Sequence, residues 1–188
     1  MYPETMGTFR SSTLRAKDGR DVVLRCATPD DAEQLLACAR EVRSAGVGFI
    51  TTPEEFNLSV EDERKWIQEL SDNPDALLLV ALAGEWIVGN INFRQHARTR
   101  QRHGGVFGIG VIPAWQGCGI GEAMVRALLA WAQESPRIEC VQLVVLADNP
   151  RAIRLYYKCG FAVNGVKPRA IKYADGIYTD EISMHIFV

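Results

Sequence analysis

Gln116-Gly117-Cys118-Gly119-Ile120-Gly121 lies between the apolar run Val106-Phe107-Gly108-Ile109-Gly110-Val111-Ile112 and a second apolar run, Ala123 to Trp131, with helical spacing. The order reads strand, glycine-rich turn, helix. Such a turn leaves N–H groups without intrahelical acceptors at a helix start, where the dipole also favours negative charge. It is therefore a candidate phosphate cradle. A Walker loop needs Lys and then Ser or Thr after its last glycine, and here Glu122 follows Gly121. A Rossmann fingerprint needs G-x-G-x-x-G near the first strand, whereas this loop is G-x-G-x-G and lies past the chain midpoint.

Working outward, Asp21 to Cys26 reads as a first strand after an Asp18-Gly19 turn. Thr28-Pro29-Asp30-Asp31 opens a helix whose apolar face is Leu35, Leu36, Cys38, Ala39 and Val42. Ser44 to Leu58 has no period and reads as loop, and Ser59 starts a second helix carrying Trp66, Ile67 and Leu70. Ala76–Ala83 and Trp86–Phe93 form a hairpin, and a basic turn, Arg94 to Gly105, leads to strand 106–112. After the glycine loop come a helix from about Gly119 to Gln133, a strand Val141–Leu146, and a helix from Asn149-Pro150 that stops at Gly160. Phe161–Val166, Ala170–Ala174 and Tyr178–Val188 are strand-like, with Asp175-Gly176 as a hairpin turn. The order β-α-α-β-β-β-α-β-α-β-β predicts an α/β (α+β) fold, a mixed sheet with helices packed on it.

The chain's 188 residues, 47% hydrophobic and 23% charged, suit one soluble domain. A net charge of -2 gives no reason to expect nucleic acid or an anionic membrane as partner. Cys26, Cys38, Cys118, Cys140 and Cys159 are odd in number and scattered, which fits reduced thiols in a cytoplasmic protein and implies no metal site. Met1 to Ser12 lacks the apolar core of a secretory signal, and no apolar run approaches the ~20 residues needed to span a bilayer.

Val111-Ile112-Pro113-Ala114-Trp115-Gln116-Gly117-Cys118-Gly119-Ile120-Gly121 resembles the acyl-CoA loop of the GNAT N-acetyltransferase superfamily, [QR]-x-x-G-x-[GA] preceded by V-x-P. Asn149-Pro150-Arg151-Ala152-Ile153-Arg154-Leu155-Tyr156-Tyr157-Lys158-Cys159-Gly160-Phe161 is similar to the family's second signature, N-x-x-A-x-x-L-Y-x-K-x-G-F, at every fixed position. The resemblance covers residues 21–188 and leaves 1–20 as an N-terminal arm. It implies the acyl-CoA N-acyltransferase fold, with a splayed central strand pair between 106–112 and 141–146. It also implies acetyl transfer from acetyl-CoA to a primary amine in a ternary complex, without an acyl-enzyme. The pantetheine arm would pair with the strand at Ile109 and Val111, the Val111 N–H polarising the thioester carbonyl. Gln116, Gly117, Cys118, Gly119, Ile120 and Gly121 would hold the pyrophosphate, Asn149 the pantetheine amides, and Tyr156 would protonate the leaving thiolate. The acceptor is a small-molecule or protein amine. Homodimers are common in the family, and a non-catalytic acyl-CoA sensor is the competing reading.

Several residues carry two readings. Asn149 is also a helix N-cap before Pro150, and Tyr156 is either the acid or a core tyrosine with Tyr157 facing inward. Strand 106–112 lacks the Glu that many relatives place there, so the base is one of His96, His103, His185, Glu54, Glu55 and Asp180, a water chain, or none. Arg94, Arg98, Arg100 and Arg102 form either a solvated hairpin tip or a contact for an acidic partner. The strand would hold them roughly 20 Å from the phosphate loop. Ser44 to Phe56 either rims the acceptor pocket or is a packed loop.

Overall fold

A computed structural model describes residues 9–44 and 48–188. The N-terminal stretch 1–8, the first part of the expected arm, and the loop residues 45–47 lie outside the described residues. Strands β1 (Ser12–Arg15) and β2 (Asp21–Cys26) are followed by helices α1 (Ala32–Ser44) and α2 (Val60–Ser71). Strands β3 (Ala76–Ala83), β4 (Trp86–Gln95) and β5 (Gly104–Val111) come next, then helix α3 (Ile120–Gln133). Strand β6 (Cys140–Leu146), helix α4 (Pro150–Lys158) and strands β7 (Ala162–Lys172) and β8 (Tyr178–Phe187) complete the order. The strands form one sheet, β1-β2-β3-β4-β5-β6-β8-β7, antiparallel except for β5–β6, the pair joined by the α3 crossover.

The helix starts follow local chemistry. Ser59 accepts from the Asp62 N–H at 3.1 Å while Asp62 accepts from the Ser59 N–H at 3.0 Å, a reciprocal cap. Asp31 accepts from the Thr28 N–H at 2.7 Å and also holds Arg25, fixing the short turn that runs into α1. Strand β3 is apolar along its length because both faces are covered. Leu77, Leu79 and Ala81 join the core under α3, with Met124 and Leu128, whereas Ala76, Leu78 and Val80 join the one under α1 and α2, with Leu35 and Ile67. Gly105 belongs to β5 because a Cβ there would lie 2.3 Å from the Phe93 ring and 2.4 Å from the Arg94 carbonyl.

Two expectations change. Residues 12–15, placed in the arm, form β1 at the sheet edge, paired with β2 through Ser12–Leu24 to Arg15–Asp21. The two segments expected at 161–166 and 170–174 are one strand, β7, irregular at Val163/Gly165 and Lys167/Ile171. Gly165 and Pro168 read as breakers in sequence, but an outermost strand tolerates a proline's missing N–H. Arg169 takes φ 52 and its N–H donates to Asp180 Oδ1 at 2.8 Å, which holds the kink. Among the described residues no helix is long and apolar enough to cross a membrane.

Candidate active site

Strands β5 and β6 pair over three positions only, Gly104–Cys140, Gly105–Val141 and Val106–Gln142. Beyond Val106 they part, while β5 stays in register with β4 as far as Gly89–Val111, without a bulge. Gly108 and Gly110 therefore serve close packing. A Cβ on Gly110 would lie 3.3 Å from Val42 Cγ1, and one on Gly108 3.3 Å from Asn92 Nδ2.

The register decides which backbone groups face the gap. The Ile112 N–H donates to the Val88 carbonyl at 3.0 Å, so Val111 and Gly89 are a non-hydrogen-bonded pair. The Val111 N–H and C=O consequently point away from β4, towards β6. Ile109, opposite Ile91, has the same parity. The Val111 carbonyl accepts from Gln116 Nε2 at 2.8 Å, which ties the loop to the strand end.

The gap opens into a cleft of about 770 Å³ lined by Ile109, Val111, Gln116, Gly117, Gly119, Gly121, Asn149 and Tyr156 among others. Gly117 and Gly119 take φ values of 82 and 91°, the left-handed conformation that turns successive N–H groups inward. No described residue accepts a hydrogen bond from the N–H groups of residues 117–122, and α3 begins at Ile120. Backbone donors, the helix dipole and the cations Lys17, Arg151, Arg154 and Lys158 on the cleft wall make this end anion-binding.

Two loop residues contribute backbone alone. Ile120 is wholly buried in the core, and the Cys118 thiol donates to Asp18 Oδ2 at 3.0 Å, outside the cleft. Asn149 Oδ1 accepts from the Ala152 N–H at 3.1 Å, so the cap occupies its carbonyl and leaves the amide nitrogen for a ligand. Gly48, at φ 85°, backs onto that amide; a Cβ there would lie 2.5 Å from Nδ2. Tyr156 is the inward tyrosine and Tyr157 is exposed. The Tyr156 ring stands edge-on to Phe107 at 5.8 Å, and burial pushes its phenol up to about 12. No described residue hydrogen-bonds the hydroxyl, which belongs to the cleft wall.

None of the base candidates lines the cleft. His96 and His103 line a separate cavity of about 580 Å³ with Arg102 and Arg137, at the opposite end of β5 from the loop. His185 packs on Phe187, Asp180 holds Arg169, and Glu55 accepts from the Thr52 N–H. Phe49 and Ile50 reach the cleft from the α1–α2 connection, whereas Glu54 and Glu55 do not.

The sequence reading missed Lys17, Arg151, Arg154, Lys158, Glu122 and Asp148. Lys17 comes from the β1–β2 turn, whose N–H donates to the Cys118 carbonyl at 2.9 Å and whose side chain lies along Gly119. Arg20 stacks on Trp115, 3.3 Å from the ring centroid, and pins the same turn to the loop. Arg151 donates to Gln116 Oε1 at 2.5 Å. Glu122 is held below the usual carboxylate range by hydrogen bonds from Lys158 and then Arg126. The α4 residues stood inside the quoted signature; the spacing from Tyr156 was the available signal. Among the described residues no group of His, Cys, Asp or Glu is arranged to hold a metal.

The family model described as "Acetyltransferase (GNAT) family" matches residues 31–161. L-amino acid N-acetyltransferase AaaT of Escherichia coli (strain K12) is 32% identical over 166 residues, 87% of this chain and 96% of that protein. Mycothiol acetyltransferase of Renibacterium salmoninarum is 31% identical over 144 residues, 76% of this chain but 41% of that protein, so the chain spans less than half of that relative. The solved structure of a GNAT-family acetyltransferase from Streptococcus pneumoniae superposes with a TM-score of 0.85 at 25% identity, covering 89% of this chain and 99% of that one. The structure of yncA from Salmonella typhimurium with its cofactor acetyl-CoA shares the fold at a TM-score of 0.77 and 18% identity, covering 88% and 93%.

Proposed function

This chain belongs to the GNAT family of acetyltransferases, and from that premise we propose that it transfers acetyl from acetyl-CoA directly to the primary amine of a small molecule of the L-amino-acid class. The observation that carries this is the open β5–β6 gap ending at six consecutive N–H groups, 117–122, that have no acceptor among the described residues. An extended amide-bearing arm suits the gap, and a diphosphate suits the loop, with Lys17, Arg151 and Arg154 as counter-charges. The near full-length likeness to an L-amino acid N-acetyltransferase supports the acceptor class. The five cysteines, odd in number and scattered along the chain, suit a reducing compartment, and we place the enzyme in the cytoplasm.

The chemistry needs few side chains. The neutral amine attacks the thioester carbonyl carbon; the N–C bond forms, the C–S bond breaks, and the electron pair leaves on sulfur. The gap-facing N–H groups of Val111 and Ile109 are the donors for the charge that develops on oxygen and for the neighbouring pantetheine amide. Tyr156 gives its proton to sulfur and takes the one that nitrogen sheds, so it ends as it began. The sheet otherwise acts by positioning.

The test is thiol release from acetyl-CoA with a panel of L-amino acids, alkyl diamines and peptides, beside thermal stabilisation by CoA. Turnover with small amines and stabilisation by CoA are expected. No stabilisation by CoA or acetyl-CoA would remove the donor site, and stabilisation without turnover across the panel would favour a sensor.

A further inference from the structure

Resting on that reading, we propose that Asp148 binds the ammonium form of the acceptor amine, which then loses one proton to solvent to give the neutral amine that attacks, so that cationic primary amines are selected, and that Tyr173 positions the Asp148 carboxylate. Among the described residues, the cleft wall carries two carboxylates, Glu122 and Asp148. Glu122 sits at the phosphate end, engaged by Lys158 at 2.6 Å and Arg126 at 3.0 Å. Asp148 has no cationic partner among the described residues. Its Oδ2 accepts from the Tyr173 hydroxyl at 2.7 Å, and its Oδ1 has no hydrogen-bond donor among the described residues.

The sheet geometry puts this group on the acceptor side. Along β6, Val141, Leu143 and Val145 join the core under α3, so Val144 and Leu146 face the other way. Gly110 faces Val42 of α1, on that second side, and Phe49 and Ile50 line the cleft beside it. The β5–β6 pairing has a constant offset of 36, as in Val106–Gln142. Beyond that pair the strands part, and Asp148, two residues after the end of β6, lines the same cleft as Ile109 and Val111. A carboxylate thus stands across the gap from the gap-facing backbone of β5.

Tyr173 is fixed independently. Its N–H donates to the Ile177 carbonyl at 2.8 Å and its carbonyl accepts from the Gly176 N–H at 2.9 Å, a tight turn between β7 and β8. The phenol remains a donor at neutral pH, since its bond to Asp148 holds it up at about 12. Asp148 is therefore presented in one orientation, as a selective ammonium contact requires.

The test compares wild-type, Asp148→Asn, Asp148→Glu and Tyr173→Phe enzymes with the L-amino acids and diamines that wild type acetylates, and with an arylamine that is uncharged at the assay pH. Asp148→Asn should raise KM for the cationic amines about 10- to 100-fold, with kcat within about threefold. KM for acetyl-CoA, stabilisation by CoA and KM for the arylamine should not move. Asp148→Glu should recover part of the affinity, and Tyr173→Phe should raise the cationic-amine KM about three- to tenfold. An unchanged cationic-amine KM in Asp148→Asn, or an equal rise for the arylamine, would overturn the proposal while wild-type turnover stands. A rise in acetyl-CoA KM instead would place Asp148 at the donor and also overturn it. Absence of wild-type turnover with every amine would overturn the transfer reading, and this proposal with it.

Discussion

Replacing Tyr156 by Phe removes one oxygen from the cleft wall and little else. The ring keeps its edge contacts with Phe107 at 5.8 Å and Phe161 at 6.0 Å. The hydroxyl has no hydrogen-bond partner among the described residues to leave behind, so folding stability should change by less than about 0.5 kcal/mol. The effect on catalysis follows from the phenol's acidity. Burial holds it at about 12, against roughly 8.5 for an ordinary thiol. Moving its proton to a finished thiolate is uphill by roughly 5 kcal/mol at about 1.4 kcal/mol per tenfold. Tyr156 therefore works only as sulfur charge develops, with nitrogen's proton replacing its own in the same event. That places its contribution at the low end for a general acid, about 100-fold in kcat. The measurement is thiol release at saturating acetyl-CoA and amine, with acetyl-CoA KM, CoA binding and Tm recorded beside it. Tyr157→Phe, on the exposed neighbour, is the control and should behave as wild type. An undiminished kcat in Tyr156→Phe would refute the assignment, and a large fall in Tm would mean that the residue is structural.

Across pH, a phenol held at about 12 keeps its proton through pH 7–10. At saturating amine, kcat should therefore rise as the bound amine deprotonates and show no alkaline limb below about pH 11; a limb near 10 in kcat would contradict the burial of this group. Lys17→Ala should weaken CoA binding about three- to tenfold and flatten its salt dependence with kcat unchanged, and an unaltered Kd would remove the β1–β2 turn from the donor site. Gly119→Val forces a branched side chain into φ 91° beside Lys17; it should cost about 1–2 kcal/mol of stability and most of the CoA-induced rise in Tm. Leu128→Ala, in a fully buried position under the sheet, should destabilise by about 2–5 kcal/mol in denaturant titration, with the CoA site intact in the folded fraction.

The local features of this fold were legible because their causes are local. Ser59 with Asp62, and Asn149 before Pro150, are caps formed within four residues, and they mark helix starts with or without the rest of the chain. β3 shows as an uninterrupted apolar run because both its faces are buried. The miss at β7 has the converse cause. Whether Gly165 and Pro168 break a strand depends on whether its far edge has a partner, and sheet order is a property of the whole chain. β1 was missed for a similar reason: four residues, Ser12–Arg15, carry too little pattern and are fixed by pairing with β2.

For the site, the sequence by itself determined the glycine loop, its place after a strand and before a helix, and the α4 signature that carries Asn149 and Tyr156. These are runs of adjacent residues whose geometry follows from backbone conformation. Only the tertiary structure decided which tyrosine faces the cleft, that Cys118 and Ile120 turn away, and that the base candidates lie elsewhere. It also brought Lys17 onto a loop a hundred residues later, and Asp148 and Tyr173 to one cleft. Side-chain direction and long-range proximity come from how β5 and β6 part and how the remaining strands close around them. Those distances are set by packing between segments remote in the chain, and no local pattern encodes them.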